Sequence, residues 1–161
     1  DENLPLVVLK ILQKRSETIS VAESCTGGGL GSALCSIPGA SNVFVGGVIA
    51  YNNSIKNKLL RVPMELINKY GAVSKQVVEA MATGAKESLH SDWAIATSGV
   101  AGPTGGSEHK PIGSVHIAVA GPQGCISTLK NFGQHRGRKE IQQLSVLSGL
   151  DQLRLLLLTR S

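Results

Sequence analysis

The chain has 161 residues, 42% of them hydrophobic, and a mean hydropathy of +0.10. That composition suits one soluble globular domain over 1–161, and the run Leu155-Leu156-Leu157-Leu158 is far too short to span a bilayer. A net charge of +5 admits nucleic acid or anionic small molecules as partners, and 3% aromatic residues weakens the nucleic-acid reading, because single-strand binders stack bases on aromatic rings. Three cysteines (Cys25, Cys35, Cys125) with no CxxC pair argue against a disulfide framework or a structural zinc site. A reducing, cytoplasmic setting is the simplest reading. The N-terminal stretch carries no charged region followed by an apolar one, so no signal peptide is expected.

Leu4, Val7, Val8, Ile11 and Leu12 fall on one face and predict an amphipathic helix over 4–15. Residues 17–22 predict the first strand, and residues 30–37 a helix. The nearly continuous apolar run 43–51 predicts a strand buried on both faces. Asn52-Asn53-Ser54 starts a short helix carrying Lys56 and Lys58. Pro63 opens another helix to about Tyr70, with Gly71 just past its end. Ser74 caps a long helix to about His90. Residues 93–98 read as a strand, 115–120 and 126–132 as a hairpin around 121–124, and 137 or 138 to 158 as a final helix. Helices between the early strands imply crossovers and parallel pairing. The expected fold class is α/β: a three-layer α/β/α sandwich with a mixed, mostly parallel sheet of about five strands.

In such a sheet ligands bind beyond the carboxyl ends of the strands. Three turns collect there: Ser24 to Gly29, Tyr51 to Lys56, and Ser98 to Gly106. The first carries a hydroxyl pair and three glycines on a strand-to-helix turn. Such a turn aims backbone N–H groups and a helix dipole at one spot. Its hydroxyls are open to three roles: helix cap, phosphate ligand or nucleophile. Each glycine costs about 1 kcal/mol in a helix relative to Ala, so something should need the backbone close by. Ser98 reads equally as a cap. A helix N-terminus lowers a thiol pKa, yet no His stands near Cys25, which reads as a small buried residue. GxSxG, HExxH, GxxxxGK[ST] and GxGxxG are all absent. The SxxK spacing at Ser107–Lys110 and at Ser127–Lys130 falls in a loop and on a strand, where the two ends do not converge. The four histidines show no ligand spacing, and His90 and His116 read as surface or capping residues.

Several of these motifs together resemble the CinA C-terminal domain family. They are Ala22-Glu23-Ser24-Cys25-Thr26-Gly27-Gly28, Gly46-Gly47-Val48-Ile49-Ala50-Tyr51-Asn52-Asn53 with Lys56, Gly71-Ala72-Val73-Ser74, Ser98-Gly99-Val100-Ala101-Gly102-Pro103-Thr104-Gly105-Gly106, and Lys110-Pro111-Ile112-Gly113. The likeness runs from about Leu4 to Leu158. It implies a nicotinamide-nucleotide amidohydrolase, which converts nicotinamide mononucleotide and water to nicotinate mononucleotide and ammonia. It implies a Ser/Lys dyad with no metal and no cofactor, and a homo-oligomer with a dimer favoured. Carried over residue by residue, the catalytic pair falls on Ser24 and Lys56. Substrate binding falls on Tyr51, Thr26, Gly27, Gly28, Asn53, Ser98, Gly99, Gly102, Gly105 and Arg138. Arg138 is preferred over Arg136, and Gln142 stands where many members have a second Arg. Many members carry a further N-terminal domain, to which nothing in 1–161 corresponds.

On this reading Ser24 attacks the carboxamide and Lys56, neutral, takes its proton. Lowering a lysine pKa by about 3 units costs roughly 4 kcal/mol of destabilised ammonium, and burial or the Arg138 cation could supply it. The rival reading is a non-catalytic nucleotide- or DNA-binding accessory protein, linked to competence or DNA damage. The basic residues of 130–160 support it.

Overall fold

A computed structural model describes residues 3–159. Five strands, β1 (Ile19–Glu23), β2 (Phe44–Ile49), β3 (Trp93–Gly99), β4 (Ser114–Gly121) and β5 (Gly124–Asn131), form one sheet in the order β2-β1-β3-β4-β5. β1 pairs parallel with both β2 and β3, and β4 and β5 add antiparallel. Six helices are described: α1 (Leu4–Arg15), α2 (Gly29–Cys35), α3 (Asn53–Leu60), α4 (Met64–Tyr70), α5 (Lys75–Ser88) and α6 (Arg138–Thr159). Two apolar clusters fill the spaces on either side of the sheet. One joins Val8, Leu12, Leu30, Leu34, Leu150 and Leu153 of α1, α2 and α6 to Ile19, Val21, Ile95 and Ile117 of the strands. The other joins Leu60, Ile67, Val77, Val78 and Met81 of α3, α4 and α5 to the small strand residues Ala22, Ala94, Ala96 and Ala118. The result is the three-layer α/β/α sandwich and mixed five-stranded sheet that the element pattern implies.

Capping sets where the helices start. Asn3 and Asn52 accept from Leu6 and Ser54 N–H, at 3.3 and 2.8 Å, and Ser74 accepts from Val77 N–H at 3.2 Å. Each such cap contributes about 1 kcal/mol. Gly71, at φ 82°, ends α4.

One expectation fails. The 43–51 run is not buried on both faces: β2 is an edge strand whose residues alternate between half-buried and exposed. α5 and α6 lie over β3 and β4, so the outermost strand keeps Val45 and Ile49 in solvent. The strands buried along nearly their whole length are the interior β1, β3 and β4.

Candidate active site

The register of the parallel strands brings the three turns together. Glu23, the last residue of β1, lies opposite Ile49 of β2 and Thr97 of β3. The chain therefore leaves β1 and β2 at one level, with β3 running two residues further to Gly99, and residues at these ends line a common pocket of about 200 Å³. Its walls include Ser24 and Cys25 after β1, and Tyr51, Asn53 and Lys56 after β2. Ser98, Gly99 and Ala101 come from the end of β3, Ala72 and Val73 from the loop before α5, and Arg138 from the start of α6. Two of these residues are basic and none is acidic.

Lys56 shares one face of α3 with Leu60, four residues on, and both are buried. Asn52 starts that helix so that the lysine points inward, while Lys58 is exposed on another face. Lys56 is only 1% exposed. Its Nζ donates to Ser24 Oγ and to the Tyr51 carbonyl, both at 3.2 Å. Among the described residues no carboxylate forms a salt bridge with it. Burial pushes its pKa below the ordinary lysine value of 10.5, and the only opposing influence is the charge of Cys25. Of the two causes expected to free this amine, burial is the one that acts on it.

The Cys25 thiol is itself pushed up to about 11, chiefly by burial. It stays protonated near neutral pH, as its reading as a small buried residue implies.

The turn after β1 is shaped by its own backbone. Gly27 and Gly28 lie at φ 58° and 103°, left-handed conformations that glycine adopts without cost. A Cβ at Gly29 would come within 2.9 Å of Val146 on α6. Positive φ at Gly27 and Gly28 and the packing of Gly29 against α6 each call for glycine. The Gly27 and Gly29 N–H groups donate to the Ser24 and Thr26 carbonyls, at 3.1 and 3.0 Å. Those of Cys25, Thr26 and Gly28 meet no backbone acceptor among the described residues.

Other expected site residues divide. Arg138 donates to the Gly102 carbonyl at 2.7 Å and to the Tyr51 hydroxyl at 3.1 Å, bridging two walls of the pocket. Arg136 turns away to Glu140 and to the Phe132 carbonyl. Ser98 Oγ donates to the Ala72 carbonyl at 2.7 Å and so anchors the loop before α5. Thr26 turns its hydroxyl inward, to Glu23 at 2.7 Å and Thr97 at 2.8 Å. Gly105 lies outside the pocket, in a separate hollow with Pro103 to Glu108. A larger groove of about 620 Å³ runs between α2 and α6, lined by Thr26, Ser32, Lys139 and Gln142 among others. Gln142 reaches from it to the Cys25 carbonyl at 3.0 Å.

Residue reasoning missed Glu23 and Thr97. An acidic residue ending a strand just ahead of a helix N-terminus is a capping signal, and Glu23 is that residue. Nothing in the sequence marks Thr97. Among the described residues, no group of three or more His, Cys, Asp or Glu could hold a metal ion, and no helix is long and apolar enough to cross a membrane.

Fold and pocket together define a three-layer α/β protein with a polar pocket at the carboxyl ends of its parallel strands. The family model of the CinA C-terminal domain matches residues 1–157, and the chain belongs to that family. It is 57% identical over 161 residues to the CinA-like protein of Parasynechococcus marenigrum (strain WH8102), and 59% identical over 161 residues to that of Prochlorococcus marinus (strain MIT 9313). Both matches take in all of this chain and 38% of the relative, so the chain spans just over a third of their length. Among solved structures it is similar to the competence/damage inducible protein CihA from Agrobacterium tumefaciens, at 35% identity and a TM-score of 0.90, over 98% of this chain and 96% of that one. It is also similar to the competence damage-inducible protein A (ComA) from Klebsiella pneumoniae subsp. pneumoniae MGH 78578, at 29% identity and a TM-score of 0.94 over the whole of both chains.

Proposed function

We propose that this chain is a nicotinamide-nucleotide amidohydrolase, working through Ser24 and Lys56 without metal or cofactor. The observation that carries the reading is Lys56 itself: a buried amine with no carboxylate partner among the described residues, its Nζ 3.2 Å from a hydroxyl on a strand-to-helix turn. Serine needs a base to become nucleophilic, and a desolvated lysine can act as one. Membership of the CinA C-terminal domain family supports a nicotinamide nucleotide as the substrate.

In the first half-reaction Ser24 Oγ attacks the carboxamide carbon and its proton passes to neutral Lys56 Nζ. The resulting oxyanion is held by backbone N–H groups, with Cys25, Thr26 and Gly28 the candidates. The intermediate collapses, Nζ returns the proton to the departing nitrogen, and ammonia leaves an acyl ester on Ser24. Water then attacks the ester and gives a proton to Nζ. Collapse releases nicotinate mononucleotide as Nζ returns that proton to Ser24 Oγ, restoring the hydroxyl and the neutral amine. Arg138 and Tyr51 at the rim offer donors to the phosphate and ribose, while Asn53, Ser98 and Gly99 bound the ring end. The pocket's basic lining suits an anionic nucleotide.

The test is ammonia release from nicotinamide mononucleotide by the purified protein, beside Ser24→Ala, Lys56→Ala and Lys58→Ala. Turnover falls by about 10²–10⁴-fold in the first two and is kept in the third. No turnover in the wild type, with nucleotide binding intact, would favour a binding module. We further propose that the chain forms a homo-oligomer, a dimer favoured. Support comes from the unpaired edge of β2, where Val45 and Ile49 are exposed.

A further inference from the structure

Two charged side chains are almost wholly enclosed among the described residues, Lys56 and Glu23, each 1% exposed. The proposed reaction uses the first and leaves the second without a part. Glu23 ends β1, directly before Ser24. One of its carboxylate oxygens accepts from the Thr26 hydroxyl and the Leu30 N–H, both at 2.7 Å, and the other from the Gly31 N–H at 3.0 Å. Thr26 is tied in turn to the Thr97 hydroxyl at 2.8 Å, and Ser24 N–H donates to the Thr97 carbonyl at 3.1 Å. The turn that carries Ser24 is thus fastened to the start of α2 and to the end of β3 through one side chain.

We propose that Glu23 is a positioning residue for the nucleophile. By holding Thr26 and the first turn of α2, it fixes the loop that presents Ser24 Oγ to Lys56 and keeps the N–H groups of the turn in line. The chemistry is specific to a carboxylate. Its two oxygens both accept, whereas an amide sets a donor against either the Leu30 or the Gly31 N–H. This inference rests on Ser24 being the nucleophile.

The experiment compares wild type, Glu23→Gln and Thr26→Val by two readouts. One is kcat and KM for nicotinamide mononucleotide. The other is the rate at which a fluorophosphonate labels Ser24, which needs a nucleophilic serine and no nucleotide. In Glu23→Gln, kcat and the labelling rate fall together by about 10²-fold, the cost of a nucleophile displaced by about 1 Å, while KM stays near the wild-type value. Thr26→Val removes one of the carboxylate's three bonds together with the bond to Thr97, keeps the shape, and costs about tenfold in both rates. The rise of kcat/KM with pH keeps its wild-type position in both variants, because Glu23 acts on where Ser24 stands and not on the Lys56 proton.

Labelling of folded Glu23→Gln at the wild-type rate overturns the proposal, since a merely structural Glu23 lowers Tm and leaves each folded molecule reactive. A displaced pH profile with an undiminished plateau also overturns it. If Glu23→Gln does not fold, Thr26→Val decides, and wild-type labelling there counts against the proposal. Wild-type protein that is labelled at Ser24 but releases no ammonia defeats only the substrate assignment, and the labelling ratio still decides on Glu23. A wild type not labelled at Ser24 defeats both.

Discussion

Lys56 takes an amine into a place where water can do little for its charge. Desolvation disfavours the ammonium, so the pKa falls below 10.5. The opposing charge of Cys25 is absent near neutral pH, where that thiol, pushed up to about 11, is protonated. If neutral Lys56 is the base, kcat/KM rises with pH through a value below 10.5, and Lys56→Arg, which keeps its proton, is inactive at every pH. A pH–rate profile checks both. The same shift bears on stability. A lysine with a lowered folded pKa contributes stability that is complete above 10.5 and lost as pH falls through the folded value. Lys56→Met is therefore more stable than wild type at neutral pH, and that advantage shrinks as pH approaches 10.5. Urea unfolding at the two pH values measures it. Cys25 gives a simpler check: iodoacetamide at neutral pH modifies the exposed Cys35 and spares the buried Cys25. Equal rates at the two would mean that the turn opens. At this scale the sequence marks which residue types carry chemistry but not which of them meet. Ser24 and Lys56 are 32 positions apart, and no spacing rule joins them. Family likeness named the pair. Thr97 stayed invisible because its hydroxyl matters only through the register of β3 against β1.

α3 shows how an element delivers one side chain. Its last residue, Leu60, meets α5 at Gly84, where a Cβ would lie 1.9 Å from the Leu60 carbonyl oxygen. Only a hydrogen fits. Gly84→Ala must push α5 and the end of α3 apart, at a cost of about 1–3 kcal/mol typical of overpacking. Because Lys56 sits one turn before Leu60, ammonia release falls as well. Urea unfolding and the turnover assay together test this, and a variant with unchanged stability and rate would show that α5 does not set the place of α3. Most elements were legible for local reasons: caps at Asn52 and Ser74, Gly71 after α4, and the hairpin around 121–124. β2 was not. Its apolar run, Val43 to Tyr51, has the composition of a central strand, and composition does not reveal how many neighbours a strand has. Sheet order decides that, and sheet order is a property of the whole chain.

For the molecule as a whole, the edge at β2 and the positive charge are what remain after the core and pocket are accounted for. A net charge of +5 with only 3% aromatic residues makes ionic contacts the chief source of any nucleic-acid binding. Any affinity for DNA therefore falls steeply between about 50 and 200 mM salt. Filter binding across that range checks the DNA-binding reading, which predicts that steep fall; no binding at the low-salt end counts against it. The edge makes a sharper demand. An unpaired strand offers a row of N–H and C=O groups for pairing with another chain, and natural edges are commonly blunted with charge. β2 has no charged residue from Phe44 to Ile49, and Val45 and Ile49 are 48% and 56% exposed. If a second copy covers this strand, Val45→Lys places an unpaired charge in the contact. Sedimentation velocity then shows a dimer for wild type and a monomer for the variant, with Tm little changed, because an exposed side chain on an edge contributes within about 0.5 kcal/mol to the fold itself. A variant that sediments as the wild type does would place any association elsewhere. A wild type that is monomeric at all concentrations would mean that two glycines, Gly46 and Gly47, suffice to keep the edge unpaired: neither carries a side chain, and glycine weakens a strand.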